Sequence, residues 1–217
     1  MRVPLKDRAY HYLLNEILEG HFPTNTPITE NECCEKLNMS RTPIREALKQ
    51  LEAEGLVYKI TDCGVFVKEI TLTDIEEICE LRKIFELEAL KYAIDQITAE
   101  EIAGCRELLC ELNADSEPQF FFRADKSFHK LLLKYCLNRR LLAFYHNLDN
   151  QIERFQRLLA KRKDNYKYVQ IQHNELLDVL ETRDLAACSD ALSAHLDMVY
   201  DSIVDVYNSQ RNQQVTL

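Results

Sequence analysis

Asp125 and His129 lie four residues apart in a stretch whose apolar residues recur at helical spacing, so both side chains point to one side of one helix. A carboxylate and an imidazole at that spacing can share a metal ion. His173 and His195, 22 residues apart, belong to two later helical stretches. Either would be unremarkable alone, because a single histidine is more often a surface or core-edge residue than a ligand. A chemically different group is formed by Arg41, Arg45 and Lys49, which recur every four residues beside an apolar stripe of Ile44, Leu48 and Leu51. Guanidinium groups grip guanine edges bidentately or hold phosphates, and the Thr42 hydroxyl can donate to either. The plainer reading of that face is a solvated helix surface. Of the remaining histidines, His11, His21 and His146, the last reads as a helix-surface residue.

The elements that must carry these residues are mainly α-helical. The chain has 217 residues, and only 4 Gly and 5 Pro punctuate it, which favours long helices over many short strands. Residues 5–19 place Tyr10, Leu13, Leu14, Ile17 and Leu18 at helical spacing before a stop at Gly20. A loop over 22–27 leads to Thr29 and Glu32, which have the form of a capping box. Ser40 opens a second short helix with Pro43 in its first turn, and Gly55 ends it. Two alternating runs, 57–60 and 65–68, joined by a turn containing Gly64, read as a β-hairpin, the only strands expected. Two short helices joined at Asn38-Met39 and followed by a hairpin make a winged helix-turn-helix, whose second helix enters the major groove.

From Leu72 onward the pattern is helical throughout. Thr73 and Thr98 are expected N-caps, with further helices over 120–135, 141–159, 168–180 and 185–206. The expected organisation is a DNA-binding domain over 1–70, an all-helical bundle over 71–208 and a disordered polar tail over 209–217.

Charge alone points away from nucleic acid. The net charge is −9, and residues 1–70 hold 9 Lys+Arg against 11 Asp+Glu. A DNA contact therefore needs a local basic face. The eight cysteines are scattered without a C-x-x-C, the N-terminus lacks signal-peptide form, and no apolar run approaches the ~18 residues of a membrane span. These features read as a cytoplasmic protein with reduced thiols and no membrane partner.

Residues 8–68 resemble the N-terminal domain of the GntR family of bacterial transcription regulators. The resemblance rests on Ser40-Arg41-Thr42-Pro43-Ile44-Arg45-Glu46-Ala47-Leu48, Leu51, Gly55-Leu56-Val57 and Gly64-Val65-Phe66-Val67. It implies that Arg41, Thr42 and Arg45 contact a double-stranded DNA operator, with Lys49 on the same face and Gly64 at the wing tip. The chain departs from the family pattern with Thr24-Asn25 in place of Pro-Gly, Asp62 at the wing tip, and Asn31 where some members place a phosphate-binding Arg.

Residues 73–206 are similar to the FCD effector domain of the FadR branch. The likeness runs through Leu81-Arg82, Asp125, His129, Leu131, Leu132 and Asn138, then His173, Leu176, Leu177, Arg183 and Asp184, and His195 after Leu192. It implies that Asp125, His129, His173 and His195 bind a divalent metal whose coordination a small carboxylate effector completes. Three imidazoles and a carboxylate suit Zn²⁺ or Ni²⁺. Arg82, which aligns with the family pattern, and Arg154, a further candidate outside that pattern, are expected to pair with the effector carboxylate. The resemblance implies a homodimer whose operator affinity the effector modulates. Three other readings stay open: metal itself as the signal, an apolar ligand in the bundle, and a metalloenzyme. The last lacks an evident nucleophile–base pair or Gly-rich phosphate loop.

Overall fold

The computed structural model of the protein describes residues 3–160 and 164–215. Among these, no helix is long and apolar enough to cross a membrane. The chain divides into two compact units, Met1–Thr71 and Leu72–Leu217.

The first unit contains α1 (Leu5–Leu18), α2 (Glu30–Leu37) and α3 (Arg41–Ala53), with strands β1 (Pro27–Ile28), β2 (Val57–Ile60) and β3 (Gly64–Val67). Ala9, Leu13 and Ile17 of α1 meet Ile44, Ala47, Leu48 and Leu51 of α3 in one buried core. Asn38 ends α2 in the left-handed conformation, φ 51°, which lets Met39 N donate to Cys34 O and turns the chain into Ser40 and α3. The expected hairpin forms, with Val57 opposite Val67 and Ile60 opposite Gly64.

Two local expectations are corrected here. A third strand exists: β1 pairs antiparallel with β3, Pro27 opposite Phe66, giving the order β1-β3-β2. Two residues are too few to show alternation in sequence. The Thr29 capping box does not close, since its side chain makes no cap hydrogen bond and its ψ is 103°. The box closes at Thr98 instead, where ψ is 157° and Thr98 and Glu101 bond reciprocally.

The second unit is a bundle of α4 (Leu72–Ala93), α5 (Ala99–Glu111), α6 (Pro118–Lys134), α7 (Arg139–Ala160), α8 (Asp164–Glu181) and α9 (Leu185–Val215). Helix α4 packs on α6, α7 and α9, while α8 packs on α5, α6 and α9. Asn138 Oδ1 caps α7 and Asp184 Oδ1 caps α9. Phe121 and Tyr166, fully buried and stacked with ring centroids 4.5 Å apart, anchor α6 on α8. Thr73, expected as an N-cap, lies inside α4, which starts at Leu72. In the stretch expected as a tail, 209–217, α9 continues to Val215, and 216–217 lie outside the described residues. No Gly or Pro interrupts 209–215, and extending an existing helix adds one hydrogen bond per residue without a new nucleus.

Candidate DNA-recognition face and metal centre

Helix α3 buries Pro43, Ile44, Ala47, Leu48 and Leu51, which leaves Arg41, Thr42, Arg45 and Lys49 exposed on the opposite side. Arg41 and Thr42 occupy its first turn, where unpaired N–H groups favour a phosphate. A groove of about 470 Å³ runs between α3 and the wing. Arg45, Lys49 and Lys59 line it, balanced by Glu30, Glu52 and Asp62. Arg45 Nε donates to both oxygens of Glu30, at 2.9 and 3.1 Å, but both side chains are partly exposed. Such a pair is worth ~0–1 kcal/mol, so a phosphate or guanine can displace it. Gly64 has φ +119°, and a Cβ there would stand 3.4 Å from Pro27 Cβ. The wing tip thus requires glycine for its backbone.

The second cluster is buried. His129 of α6, His173 of α8 and His195 of α9 come together from three helices, each no more than 3% exposed. One ring nitrogen of each lies within 4.8 Å of the others. Asp125, one turn before His129, stands beside them, its Oδ1 3.8 Å from His173 Nε2. Gln156 Nε2 of α7 donates to the other Asp125 oxygen.

Hydrogen bonding assigns the tautomers. His173 Nδ1 lies 3.0 Å from the Val169 carbonyl, which can only accept, so Nδ1 carries the proton. His129 Nδ1 lies 2.7 Å from Glu86 Oε2, again an acceptor. The two Nε2 atoms therefore aim lone pairs at each other across 3.2 Å. Lone pairs at that distance repel unless a positive centre, a proton or a metal ion, lies between them. His195 settles no part of this by itself, but both its ring nitrogens are buried with no hydrogen-bond partner among the described residues. Orphaned buried nitrogens are costly, by ~1–3 kcal/mol each. One ion with metal–nitrogen distances of ~2.1 Å would separate tetrahedral ligands by about 3.4 Å, close to the 3.2 Å between the His129 and His173 Nε2 atoms. The residues fit a divalent metal.

Burial lowers His173 to about 4, with His129 adding to the effect and Asp125 opposing it, so its Nε2 is a free lone pair at neutral pH. Burial, then the neighbouring imidazoles, hold His195 well below the ordinary histidine range.

Sequence reasoning missed the group behind His129. Glu86 of α4, 0% exposed, accepts from His129 through Oε2, and from Arg82 Nε at 2.8 Å and Tyr145 OH at 2.9 Å through Oε1. Burial would raise its carboxyl, but the electrostatic pull of His129 and Arg82 and the hydrogen bonds they donate hold it below the usual carboxylate range. Burial works against the Arg82 cation, but Glu86, Tyr145 and Asp125 more than offset it. The i, i+4 spacing of Arg82 and Glu86 was the one legible signal. Nothing local marks Tyr145 or Gln156.

Arg82 and His129 border a cavity of about 40 Å³, with Lys130, Tyr145, His146 and Gln156 among its other walls. Its volume suits about three water-sized groups. Lys126, also on its wall, is paired with Asp149 and Glu153. His146 is exposed, as expected, and sits at the rim. Arg154 is not among the lining residues. The cavity side of α7 is marked by Tyr145, Asp149, Ile152 and Gln156, and Arg154 is two residues, roughly 200° of helix, from the last two. It is half-buried and feels the charge of Asp74 on α4.

Residues 5–67 match the bacterial regulatory proteins of the gntR family, and residues 77–198 match the FCD domain. The Nta operon transcriptional regulator of Aminobacter aminovorans is 28% identical over 188 residues, covering 86% of this chain and 88% of that protein. A transcriptional repressor of Paenarthrobacter nicotinovorans, named for the D-xylose utilization operon, is 26% identical over 90% of this chain and 87% of its own. A solved GntR structure from Rhodococcus sp. RHA1 superposes with a TM-score of 0.77 at 22% identity, over 92% of this chain and 97% of that one. The chain belongs to the gntR family of bacterial regulatory proteins, with a GntR helix-turn-helix followed by an FCD domain, and is a DNA-binding transcriptional regulator of that type.

Proposed function

We propose that this regulator reads its operator with Arg41, Thr42, Arg45 and Lys49 of α3 and the Gly64 wing tip, and that a small carboxylate bound at a metal in the helical domain modulates operator affinity. His129, His173, His195 and Asp125 hold the metal, a Zn²⁺ or Ni²⁺ ion. The observation that carries the sensing half is the pair of opposed Nε2 lone pairs beside the unpartnered nitrogens of His195. Bound there, the ion supplies an electrophilic anchor for one carboxylate oxygen. Arg82 offers the second contact: its Nε is spent on Glu86, and its Nη1 and Nη2 make no hydrogen bond to any described residue. The small cavity favours a compact anion over an acyl chain.

In this reading two copies of the chain hold their α3 helices about one DNA turn apart on a near-palindromic site in the cytoplasm. The carboxylate shifts operator affinity by binding two arrangements of the dimer unequally. Repression as the output draws support from the Paenarthrobacter relative, which is named as a repressor.

The test is metal content of untagged protein by elemental mass spectrometry, wild type beside His173→Ala and His195→Ala. About one equivalent per chain in wild type, absent from both variants, is expected. Wild type that stays metal-free after exposure to Zn²⁺ or Ni²⁺ would end the metal half. Operator affinity of metal-loaded protein that ignores every small carboxylate tried would end the effector half.

A further inference from the structure

Glu86 divides its two oxygens between two tasks. Oε2 takes the proton of His129 Nδ1, and Oε1 takes Arg82 Nε and the Tyr145 hydroxyl. The carboxylate is fully buried, so its two oxygens depend on these three donors. We infer that Glu86 is a positioning residue which sets the tautomer of His129, and through it the readiness of the metal site, while aiming the free end of Arg82 at the anion. The inference rests on the metal reading for its consequence, but not for its observable, since the tautomer exists without metal.

The asymmetry of the donors makes the role testable by one atom. In Glu86→Gln the amide oxygen is drawn to the Oε1 position, where Arg82 and Tyr145 both donate. The amide NH₂ then faces His129 Nδ1 and must donate to it. That moves the imidazole proton to Nε2 and removes the lone pair facing His173. The variant keeps shape and volume but reverses the ligand. Carboxylates behind metal-binding histidines typically account for 10–100-fold in metal affinity. Tyr145→Phe is the contrasting change, because it removes one donor to Oε1 and leaves Oε2 on His129.

The experiment is a long-range ¹H–¹⁵N correlation spectrum of the metal-free full chain, ¹⁵N-labelled at histidine, followed by Zn²⁺ titration against a competing chelator. We expect His129 protonated on Nδ1 in wild type and in Tyr145→Phe, and on Nε2 in Glu86→Gln. Zn²⁺ affinity should fall about 10–100-fold in Glu86→Gln and by less than about threefold in Tyr145→Phe. A wild-type His129 protonated on Nε2 overturns the inference even where Glu86→Gln does not fold. So does a folded Glu86→Gln that keeps the wild-type tautomer. Wild type with the expected tautomer but no Zn²⁺ binding would sink the metal reading while leaving the tautomer assignment in place.

Discussion

The two units of this protein place their working residues in opposite environments. On α3, Arg41, Thr42, Arg45 and Lys49 are exposed, and their only charge partner among the described residues is the partly exposed Glu30. In the helical bundle, Arg82, Glu86, Asp125, His129, His173 and His195 are buried, and all but His195 are held by hydrogen bonds among α4, α6, α7 and α8. Under the proposed function, the difference follows from the ligand. A duplex brings its own dense charge and needs a surface that can exchange one weak partner for another. A small ion or anion brings few contacts, so its site must be arranged in advance and kept dry.

The largest expected effect comes from breaking a buried pair. Arg82→Met leaves Glu86 facing His129 without its cation, and should lower unfolding stability by about 3–5 kcal/mol in a denaturant titration. A loss below ~1 kcal/mol would mean that this pair behaves like an exposed one, and the contrast between the units would fail. Arg45→Ala should abolish specific operator binding, at about 1–3 kcal/mol per half-site, with stability and metal content unchanged. Unchanged operator affinity at moderate salt would remove Arg45 from the readout. Glu30→Gln should change stability by less than ~1 kcal/mol. It frees Arg45, so binding to non-operator DNA should tighten in a fluorescence titration, and a weakening would show that Glu30 positions Arg45 instead of competing for it.

The smallest effect concerns Glu101, whose carboxyl is held at about 2 by the Lys134 ammonium, the Thr98 backbone N–H and the Tyr135 hydroxyl. Its folded value lies below the ordinary 4.5, so the stabilisation is present above that pH and is lost as pH falls towards 2. The melting-temperature gap between wild type and Glu101→Gln should accordingly be constant near neutrality and narrow only on acidification below about pH 4.5. A gap that narrows near neutrality would assign the effect to another group.

How far the site was readable depended on distance along the chain. The exposed face of α3 and the glycine at the wing tip are local properties, set by a 3.6-residue period and by a positive φ that disfavours a Cβ. Asp125 and His129 were likewise paired by one helical turn. Glu86 meets His129 across 43 residues and Tyr145 across 59, and no local pattern encodes such a meeting. Arg154 shows the same limit from the other side: its type suited an anion, but the rotation of α7 turned it towards Asp74.

By itself, then, the sequence determined the helical class, the winged helix, the inward placement of Asp125 with His129, and the basic outer face of α3. Each follows from residues within a few turns of one another, where backbone geometry alone dictates direction. Tertiary packing decided that three histidines from three helices share one buried point, that Glu86 stands behind one of them, and that Glu86 also takes Arg82 Nε and the Tyr145 hydroxyl. Those outcomes depend on how helices are rotated and slid against each other, which the side-chain volumes of the whole core set jointly.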